Sequence, residues 1–506
     1  MPMSTIRRQS IISSGVVYIG FALGALNNLL FAKWLPPDEN GLVIGMFVAI
    51  GNIMYPIATF GMPSFINKFY PYYKANLKDR DDDMMSVALL LTLGAFLLVI
   101  AAGLVFQPLV IRKFGNNSAL LVHYYYWIFP FGLGLSLLYV LEAFGWQLKR
   151  SILTNFLREL LWRALNTVLI VLLFLGVLRS HDAFIKLYSL NYLWVAGILL
   201  VFLLRKKELH FVFRISRVTK KFLPKVKSLI LLAWSAGIIL NLSMYFAQPV
   251  IGAVVAGGLS AVAVFTIGQF IASLVMAPQR AVAAAAIGPL SQAWRDGDHQ
   301  RISRIYHRSA INQLIFAIGI FILIAINFRD AIMFFGLKPE YLAAETVFLI
   351  IGLNRVIDMG TGLNTQIIGT SIHWRLDFWT GMILVSLTIP LNYILAKRYG
   401  IIGPAIADLI TFGLYNTIRC LFLYRKYQMN PFDRRTLIAL LLGIALYYGC
   451  RLLFGGYSGF GWMVLRSVVF SALYGGSILL FRLSDDVIPV WNTVKKRLGL
   501  RSAPTR

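Results

Sequence analysis

The chain has 506 residues, of which 58% are hydrophobic and only 14% are charged, and its 48 Lys and Arg against 21 Asp and Glu give a formal net charge of +27. This charged share is about half that of an ordinary soluble protein, which leaves too little polar surface for soluble domains of this total length. Composition therefore excludes a soluble enzyme, a disordered chain and a disulfide-stapled secreted protein, and predicts an integral membrane protein.

Apolar blocks of about twenty residues follow one another along the chain, and each is long enough to cross roughly 30 Å of hydrocarbon as a helix. Turn residues such as Pro36-Pro37, Asn116-Asn117 and Gly257-Gly258 separate neighbouring blocks. The pattern predicts fourteen transmembrane helices, near residues 11–33, 41–63, 84–111, 120–142, 158–178, 184–204, 228–255, 260–287, 309–327, 341–369, 376–396, 400–424, 437–455 and 460–481.

Basic residues indicate how these helices are oriented, because short cytoplasmic loops collect Lys and Arg. If the N-terminus is cytoplasmic, the inside segments carry 32 Lys and Arg and the outside segments carry 8. One missed helix would reverse the alternation after it. The bias therefore predicts that both termini are cytoplasmic.

The longest basic stretch, 205–227, lies between the sixth and seventh predicted helices. Its aromatic residues Phe211, Phe213 and Phe222 alternate with basic ones, which predicts an interfacial helix against anionic lipids and not a nucleic-acid site. We therefore predict four regions: an N-terminal six-helix bundle at 1–204, a basic cytoplasmic linker at 205–227, a C-terminal six-helix bundle at 228–424, and a terminal helix pair with a basic cytoplasmic tail at 425–506.

Arg355 lies near the middle of predicted helix 341–369. A charge at the bilayer centre costs about 2.5 to 3.5 kcal/mol on insertion scales, so it lines a wet cavity or is paired. Asp358 lies one turn further and could pair with it, locking two helices; alternatively, Arg355 is a cationic group in a hydrated cavity. On an ideal helix the polar stripe around Arg355 includes Gly352, Met359, Gly362 and Gln366, with Glu345 at its margin.

Weaker polar stripes occur on three other predicted helices, although such residues also pack ordinary membrane helices. The binding candidates on them are Asn27 in the first helix, Asn241 and Gln248 in the seventh, and Gln269 and Arg280 in the eighth. Together with Arg355, Asp358 and Gln366 they predict a cavity shared by the first, seventh, eighth and tenth helices. Asp408 in the twelfth helix and Glu345 are candidates for proton or cation coupling.

Other charged residues of the predicted spans lie near helix ends, where long side chains reach the headgroups. This interpretation covers Lys33, Arg158, Arg163, Lys186, Arg419 and Arg466, and also the acids Glu142 and Asp377. No GxxxxGK[ST] loop, HExxH motif or Cys/His metal spacing occurs. We therefore expect no enzyme, no cofactor and no ATPase, so that any work must come from a gradient or from the substrate's own concentration difference.

Four stretches resemble bacterial polysaccharide flippases of the Wzx type. Residues 28–41 read NLLFAKWLPPDENG, which is similar to the family's N-x-x-x-A-+-x-L-G-P-x-x-[FY]-G, with Pro36 and Asn40 in place of the usual Gly and aromatic. The other three are TFGMP at 59–63 followed by KFYP at 68–71, FG at 335–336 followed by Tyr341, and YGIIGPA at 399–405. The resemblance spans most of the chain.

The resemblance implies two six-helix bundles in a V that alternate between inward-open and outward-open states in the bacterial cytoplasmic membrane. The implied substrate is an oligosaccharide on undecaprenyl pyrophosphate, moved outward for polysaccharide or lipopolysaccharide biosynthesis. Anionic lipids and a glycan polymerase or ligase are the further partners expected. Arg355 suits this substrate by its chemistry, because guanidinium forms a planar fork for phosphate oxygens.

Three alternatives remain open. An antiporter of the MATE type, which belongs to the same superfamily, would need acids in the cavity of the first bundle, and the first predicted helix has none. A lipid II flippase would share the mechanism and differ in its glycan. A membrane-embedded glycan ligase or polymerase usually carries a large outer loop, whereas the longest outside segment here, 328–340, is short.

Overall fold

The computed structural model describes residues 5–78 and 81–487, and this part of the chain is helical without strands. Its α-helices are α1 (Thr5–Trp34), α2 (Pro37–Asn40), α3 (Val48–Thr59), α4 (Met62–Asn76), α5 (Met84–Phe114), α6 (Ala119–His123), α7 (Ile128–Gln147), α8 (Ser151–Asn155), α9 (Trp162–Phe174), α10 (His181–Arg205), α11 (Arg217–Tyr245), α12 (Ala247–Val254), α13 (Gly258–Ser273), α14 (Gln279–Arg295), α15 (His299–Phe334), α16 (Ala344–Gly360), α17 (Asn364–Thr370), α18 (Arg375–Tyr399), α19 (Ile402–Tyr427), α20 (Arg434–Phe454) and α21 (Phe460–Leu480). Helices satisfy their own backbone hydrogen bonds, as lipid requires of a spanning segment.

Within the described residues, eleven helices are long and apolar enough to cross a membrane, and α11 with α12, bent by 47°, makes a twelfth if the pair is one span. The predicted all-α membrane fold is confirmed. Several predicted spans are irregular: in 158–178 a π-helical turn, Phe156–Leu161, precedes α9, and in 341–369 residues 361–363 separate α16 from α17. The count of fourteen stays a prediction.

The interruptions correct two of the predicted stripes. Gly362 has a φ of 65°, in the left-handed region that ends a helix, so the ideal-helix spacing from Arg355 to Gln366 is wrong beyond Gly360. In the eighth predicted helix a 3₁₀ turn, Leu274–Met276, and then Pro278 separate α13 from α14. Gln269 and Arg280 therefore lie on different helices.

Of the described residues, those within Met1–Thr266 and Ala396–Ile401 form one compact unit, called unit 1 here, and those within Ile267–Leu395 and Ile402–Arg506 form unit 2. In unit 1 the buried core joins α4, α5, α7 and α10, and Val218 and Ile230 of α11 belong to it. The indole Nε1 of Trp234 in α11 donates to the carbonyl of Ile57 at 3.2 Å. Unit 1 thus extends beyond 205–227, and the functional division into bundles at that segment stays a prediction.

The basic linker is not the interfacial helix that the sequence predicted for its first half. Residues 206–216 are irregular, because their backbone groups are held by the start of α5: the Val212 amide donates to Ser86 Oγ and the Ser216 amide to Asp83 Oδ2. Phe211 and Phe213 are exposed. The side chain of Phe222 and the tail beyond residue 487 lie outside the described part of the chain.

Unit 2 is built around the long helix α15. One buried cluster joins α15 to α16, α20 and α21, with Met359 and Tyr474 among its members. A second joins the start of α15 to α14, α17 and α19 through Tyr306, Leu290 and Leu423. The α20–α21 pair, predicted as a terminal addition, therefore packs on the central helix of unit 2.

Candidate substrate-binding site

Arg355 and Asp358 do not form the ion pair that the sequence suggested. The guanidinium of Arg355 is partly exposed, and its central carbon lies 5.8 Å from the centroid of the Phe412 ring. The Asp358 carboxylate instead accepts hydrogen bonds from Asn416 Nδ2 at 2.8 Å and Gln279 Nε2 at 3.0 Å. Side-chain amides of α14 and α19 thus satisfy Asp358, which leaves Arg355 without a carboxylate among the described residues.

The two glycines of the predicted stripe around Arg355, Gly352 and Gly362, have a packing role. A Cβ on Gly352 would lie 2.7 Å from the ring of Phe321. A Cβ on Gly362 would lie 3.0 Å from that of Ala310. Both glycines therefore let α15 approach closely.

A polar network continues from Asp358 through the interior of unit 2. Asn416 Oδ1 accepts from Asn364 Nδ2 at 3.1 Å, and further along α19 Arg419 is completely buried, with 0% of its side chain exposed. Arg419 pairs with Asp377 and lies over the ring of Tyr415. The interpretation that Arg419 reaches the headgroups is wrong, because α19 continues to Tyr427 and places Arg419 two turns inside the helix end.

The two coupling candidates have different surroundings. Asp408 is buried in α19, and Arg355 is the charged group that acts on it electrostatically. Glu345 accepts a hydrogen bond at 2.6 Å from Arg329, which is exposed. Within the described chain, no group of three or more His, Cys, Asp or Glu could hold a metal ion.

Gln366, in α17, and Gln269, in α13, are partly exposed, and Arg280 is exposed at the start of α14. All three lie in unit 2, whereas Asn27, Asn241 and Gln248 are buried in unit 1. The cavity that would combine these residues stays a prediction.

Asn27 has a packing role that its position in a polar stripe did not reveal. Its Nδ2 donates to the backbone carbonyl of Arg163 at 2.7 Å, and its Oδ1 accepts from Thr167 Oγ1 at 2.6 Å. Both partners belong to α9. Asn27 thus fastens α1 to α9 and has little freedom to bind a substrate.

Sequence reasoning missed an ion cluster in unit 1. Arg158 bonds Glu142 at 2.9 Å and Glu159 at 3.1 Å, and Arg163 bonds Glu159 at 3.1 Å. Glu142 is only 1% exposed, so its interpretation as a residue at the membrane surface is wrong. The signal that could have found this cluster is the equal number of acids and bases at the facing ends of two consecutive predicted helices.

Neither a protein-family model nor a curated protein sequence matches the chain. Among solved structures, it is similar to the lipid II flippase MurJ in an inward closed conformation, with a TM-score of 0.71 and 16% identity over 94% of this chain and 100% of that one. This chain has the fold of the MOP-superfamily transporters.

Two further transporters of the MOP superfamily support that assignment. An inward-facing multidrug resistance transporter of the MATE family gives a TM-score of 0.64 at 16% identity over 83% of this chain and 98% of its own. A transporter from Pyrococcus furiosus gives 0.52 at 13% identity over 83% and 95%. At such identities the likeness concerns the fold, so the Wzx-type relationship stays a prediction.

Proposed function

We propose that the protein is a flippase that moves an undecaprenyl-pyrophosphate-linked oligosaccharide from the inner to the outer leaflet of a bacterial cytoplasmic membrane by alternating access. The product serves polysaccharide or lipopolysaccharide biosynthesis, and both termini are cytoplasmic. The MOP-superfamily fold supports transport, and the surroundings of Arg355 carry the choice of substrate.

Most buried or partly buried arginines of the described apolar helices have a carboxylate partner. Arg158 pairs with Glu142 and Glu159, Arg163 with Glu159, Arg419 with Asp377, Arg435 with Asp485 and Arg466 with Asp330. Arg355 makes no ion pair with a carboxylate in the described chain, and the buried carboxylate of Asp408 acts on it only electrostatically. A guanidinium in a membrane helix that makes no ion pair favours an anionic ligand, because its N–H donors stay open to that ligand.

Pyrophosphate suits this position chemically. With the Phe412 ring near the guanidinium, a cation–π contact steadies the group without using its N–H donors. The planar edge then offers two parallel N–H groups to phosphate oxygens, an arrangement that lysine does not reproduce.

The test measures outward transfer of the lipid-linked glycan in cells that carry Arg355→Ala, Arg355→Lys or the control Arg451→Ala, which removes an exposed arginine of α20. We expect Arg355→Ala to reduce transfer by at least about tenfold, which corresponds to roughly 1.4 kcal/mol of lost anion binding. Arg355→Lys should restore part of it, and Arg451→Ala should transfer normally. Wild-type transfer by Arg355→Ala would contradict the proposal.

Export of organic cations, as in MATE transporters, is a second candidate, and buried Glu142 in unit 1 favours it. That function predicts that Glu142→Gln abolishes resistance to cationic drugs while Arg355→Ala leaves it intact. Lipid II transport is the third, and it requires that the protein rescue cells depleted of their own lipid II flippase. Drug resistance or this rescue, without glycan transfer, would replace the first proposal.

A further inference from the structure

Two tyrosines of unit 1 stack on each other beside the ion cluster. The rings of Tyr55 in α3 and Tyr139 in α7 lie 4.1 Å apart between centroids, with 8° between their planes, and both are partly exposed. Asn241 Nδ2 donates to the Tyr55 hydroxyl at 3.2 Å. The guanidinium carbon of Arg158 lies 5.9 Å from the Tyr139 centroid, which joins the aromatic pair to the ion cluster.

The ion cluster is neutral overall but incompletely bonded. Its two arginines and two glutamates cancel in charge. Glu142 Oε1 and Arg163 Nη1 are both buried and have no hydrogen-bond partner among the described residues. A buried acceptor and a buried donor left open in one cluster are unusual, because buried polar atoms are nearly always paired.

The local backbone is also specialised at this cluster. Arg158 and Glu159 lie in the π-helical turn Phe156–Leu161, and such turns occur frequently at functional sites. Gly20 of α1 packs directly on this turn: a Cβ there would lie 2.5 Å from the Glu159 carbonyl oxygen. Helix α1 therefore packs against one side of the turn, and the tyrosine pair lies next to the guanidinium of Arg158.

A simple packing role would require none of these features. In unit 2 the buried pair of Arg466 with Asp330 joins α21 to α15, and Arg466 Nε also donates to Asn327 Oδ1 at 3.0 Å. None of the polar side-chain atoms of this pair is buried and unbonded within the described residues. The contrast indicates that the unit 1 cluster serves more than helix packing.

We propose that the tyrosine–ion cluster, formed by Tyr55, Tyr139, Asn241, Arg158, Arg163 and Glu142, binds a neutral sugar of the lipid-linked oligosaccharide. This inference rests on the proposed flippase function and deepens it. Sugar hydroxyls both donate and accept hydrogen bonds, so they match the open acceptor Glu142 Oε1 and the open donor Arg163 Nη1. The apolar C–H face of a sugar ring packs on an aromatic face such as that of tyrosine.

The same arrangement selects against acidic sugars. Both arginines already have carboxylate partners, so a uronate brought here would be a further negative charge without a cation. The tyrosine–ion cluster of unit 1 is thereby specific for an uncharged glycan.

The experiment measures binding to the full-length protein in lipid nanodiscs. The three probes are undecaprenyl pyrophosphate, the same carrier with a neutral oligosaccharide, and the same carrier with a uronate-containing oligosaccharide. The variants are Tyr139→Leu, Tyr55→Leu, Glu142→Gln and Arg355→Ala, with Tyr448→Leu as a matched control that removes an exposed tyrosine of α20.

We expect wild type to bind the neutral glycolipid about tenfold more tightly than the bare carrier, a difference that equals roughly 1.4 kcal/mol. Each unit 1 variant should lose this advantage while it binds the bare carrier as wild type does. Arg355→Ala should weaken both complexes, Tyr448→Leu neither, and the uronate probe should bind no better than the bare carrier.

Equal wild-type affinity for the bare and the neutral carrier would overturn the inference, and this comparison needs no variant. A unit 1 variant that keeps the glycan advantage, or a uronate probe that binds as well as the neutral one, would also overturn it. Failure of wild type to bind any of the three lipids would instead overturn the proposed function.

Discussion

Removal of the Arg355 side chain should cost the protein little stability, although this is an arginine inside a membrane helix. No carboxylate of the described chain loses a hydrogen-bond partner in Arg355→Ala, because Asp358 is bonded to Asn416 and Gln279 and buried Asp408 loses only an electrostatic attraction. The variant gives up the packing of its guanidinium near the Phe412 ring, and cation–π interactions contribute about 0.5–1 kcal/mol when exposed and about 2 kcal/mol when desolvated. We expect the free energy of unfolding to fall by an amount within this range.

Asp358→Ala should be the more damaging change. It leaves Gln279 Nε2 and Asn416 Nδ2 without their acceptor, and each stranded donor costs about 1–3 kcal/mol. Arg466→Ala supplies the reference for a true buried pair, because Asp330 is only 14% exposed and would lose its cation, at a cost of about 3–5 kcal/mol.

The assay is the midpoint of thermal unfolding of the purified variants in one detergent, read from the exposure of buried cysteine to a thiol-reactive dye. The predicted order of midpoints is wild type, then Arg355→Ala, then Asp358→Ala and Arg466→Ala. The reasoning would be refuted if the midpoint of Arg355→Ala fell as far as that of Arg466→Ala and if the double variant Arg355→Ala with Asp358→Ala regained the wild-type midpoint. That result would mean that Arg355 and Asp358 form a structural ion pair.

Two further predictions concern packing and orientation. Gly20→Ala should lower the same unfolding midpoint, because its Cβ would lie 2.5 Å from the Glu159 carbonyl oxygen and such overpacking costs about 1–3 kcal/mol. Gly15→Ala on the same helix is the control: its Cβ would have nothing within 4 Å, so it should be neutral or stabilising. Equal effects of the two changes would contradict the close approach of α1 to Glu159. Single cysteines at Lys207 and Lys221 should be shielded from an impermeant maleimide in intact cells, and one at exposed Asn116 should be labelled. Gly258 is unsuitable as the outside position, because a Cβ there would lie 1.5 Å from the Asn117 carbonyl oxygen. Labelling at position 207 from outside would show that the predicted topology is reversed.

The helices could be predicted because a lipid bilayer requires long apolar segments, and such segments can be recognised directly in the sequence. Their interruptions could not. Gly362 looks like any small residue of a membrane helix, and nothing in the apolar pattern shows that it takes a φ of 65° close against Ala310 of α15. The irregular course of 206–216 likewise depends on Asp83 and Ser86, which lie far away in the sequence.

The site was predictable in part for a related reason. Depth in the hydropathy pattern distinguished Arg355, but the partners of Asp358 came from α14 and α19, which a pattern on one helix does not contain. Arg419 and Glu142 were misjudged because an error of a few residues in a helix end moves a charge between the headgroups and the interior.

Unit 1 does not consist of one continuous stretch of chain, and this has a consequence for biogenesis. Residues Ala396–Ile401 belong to it, and Gly400 lies near Val255 at the end of α12. A ribosome that has delivered the first 266 residues to the membrane has therefore not yet delivered the last piece of the unit they form. The contacts that residues 396–401 make within unit 1 can therefore form only after about 130 more residues are synthesised, which takes roughly 7 to 26 s at 5–20 residues per second.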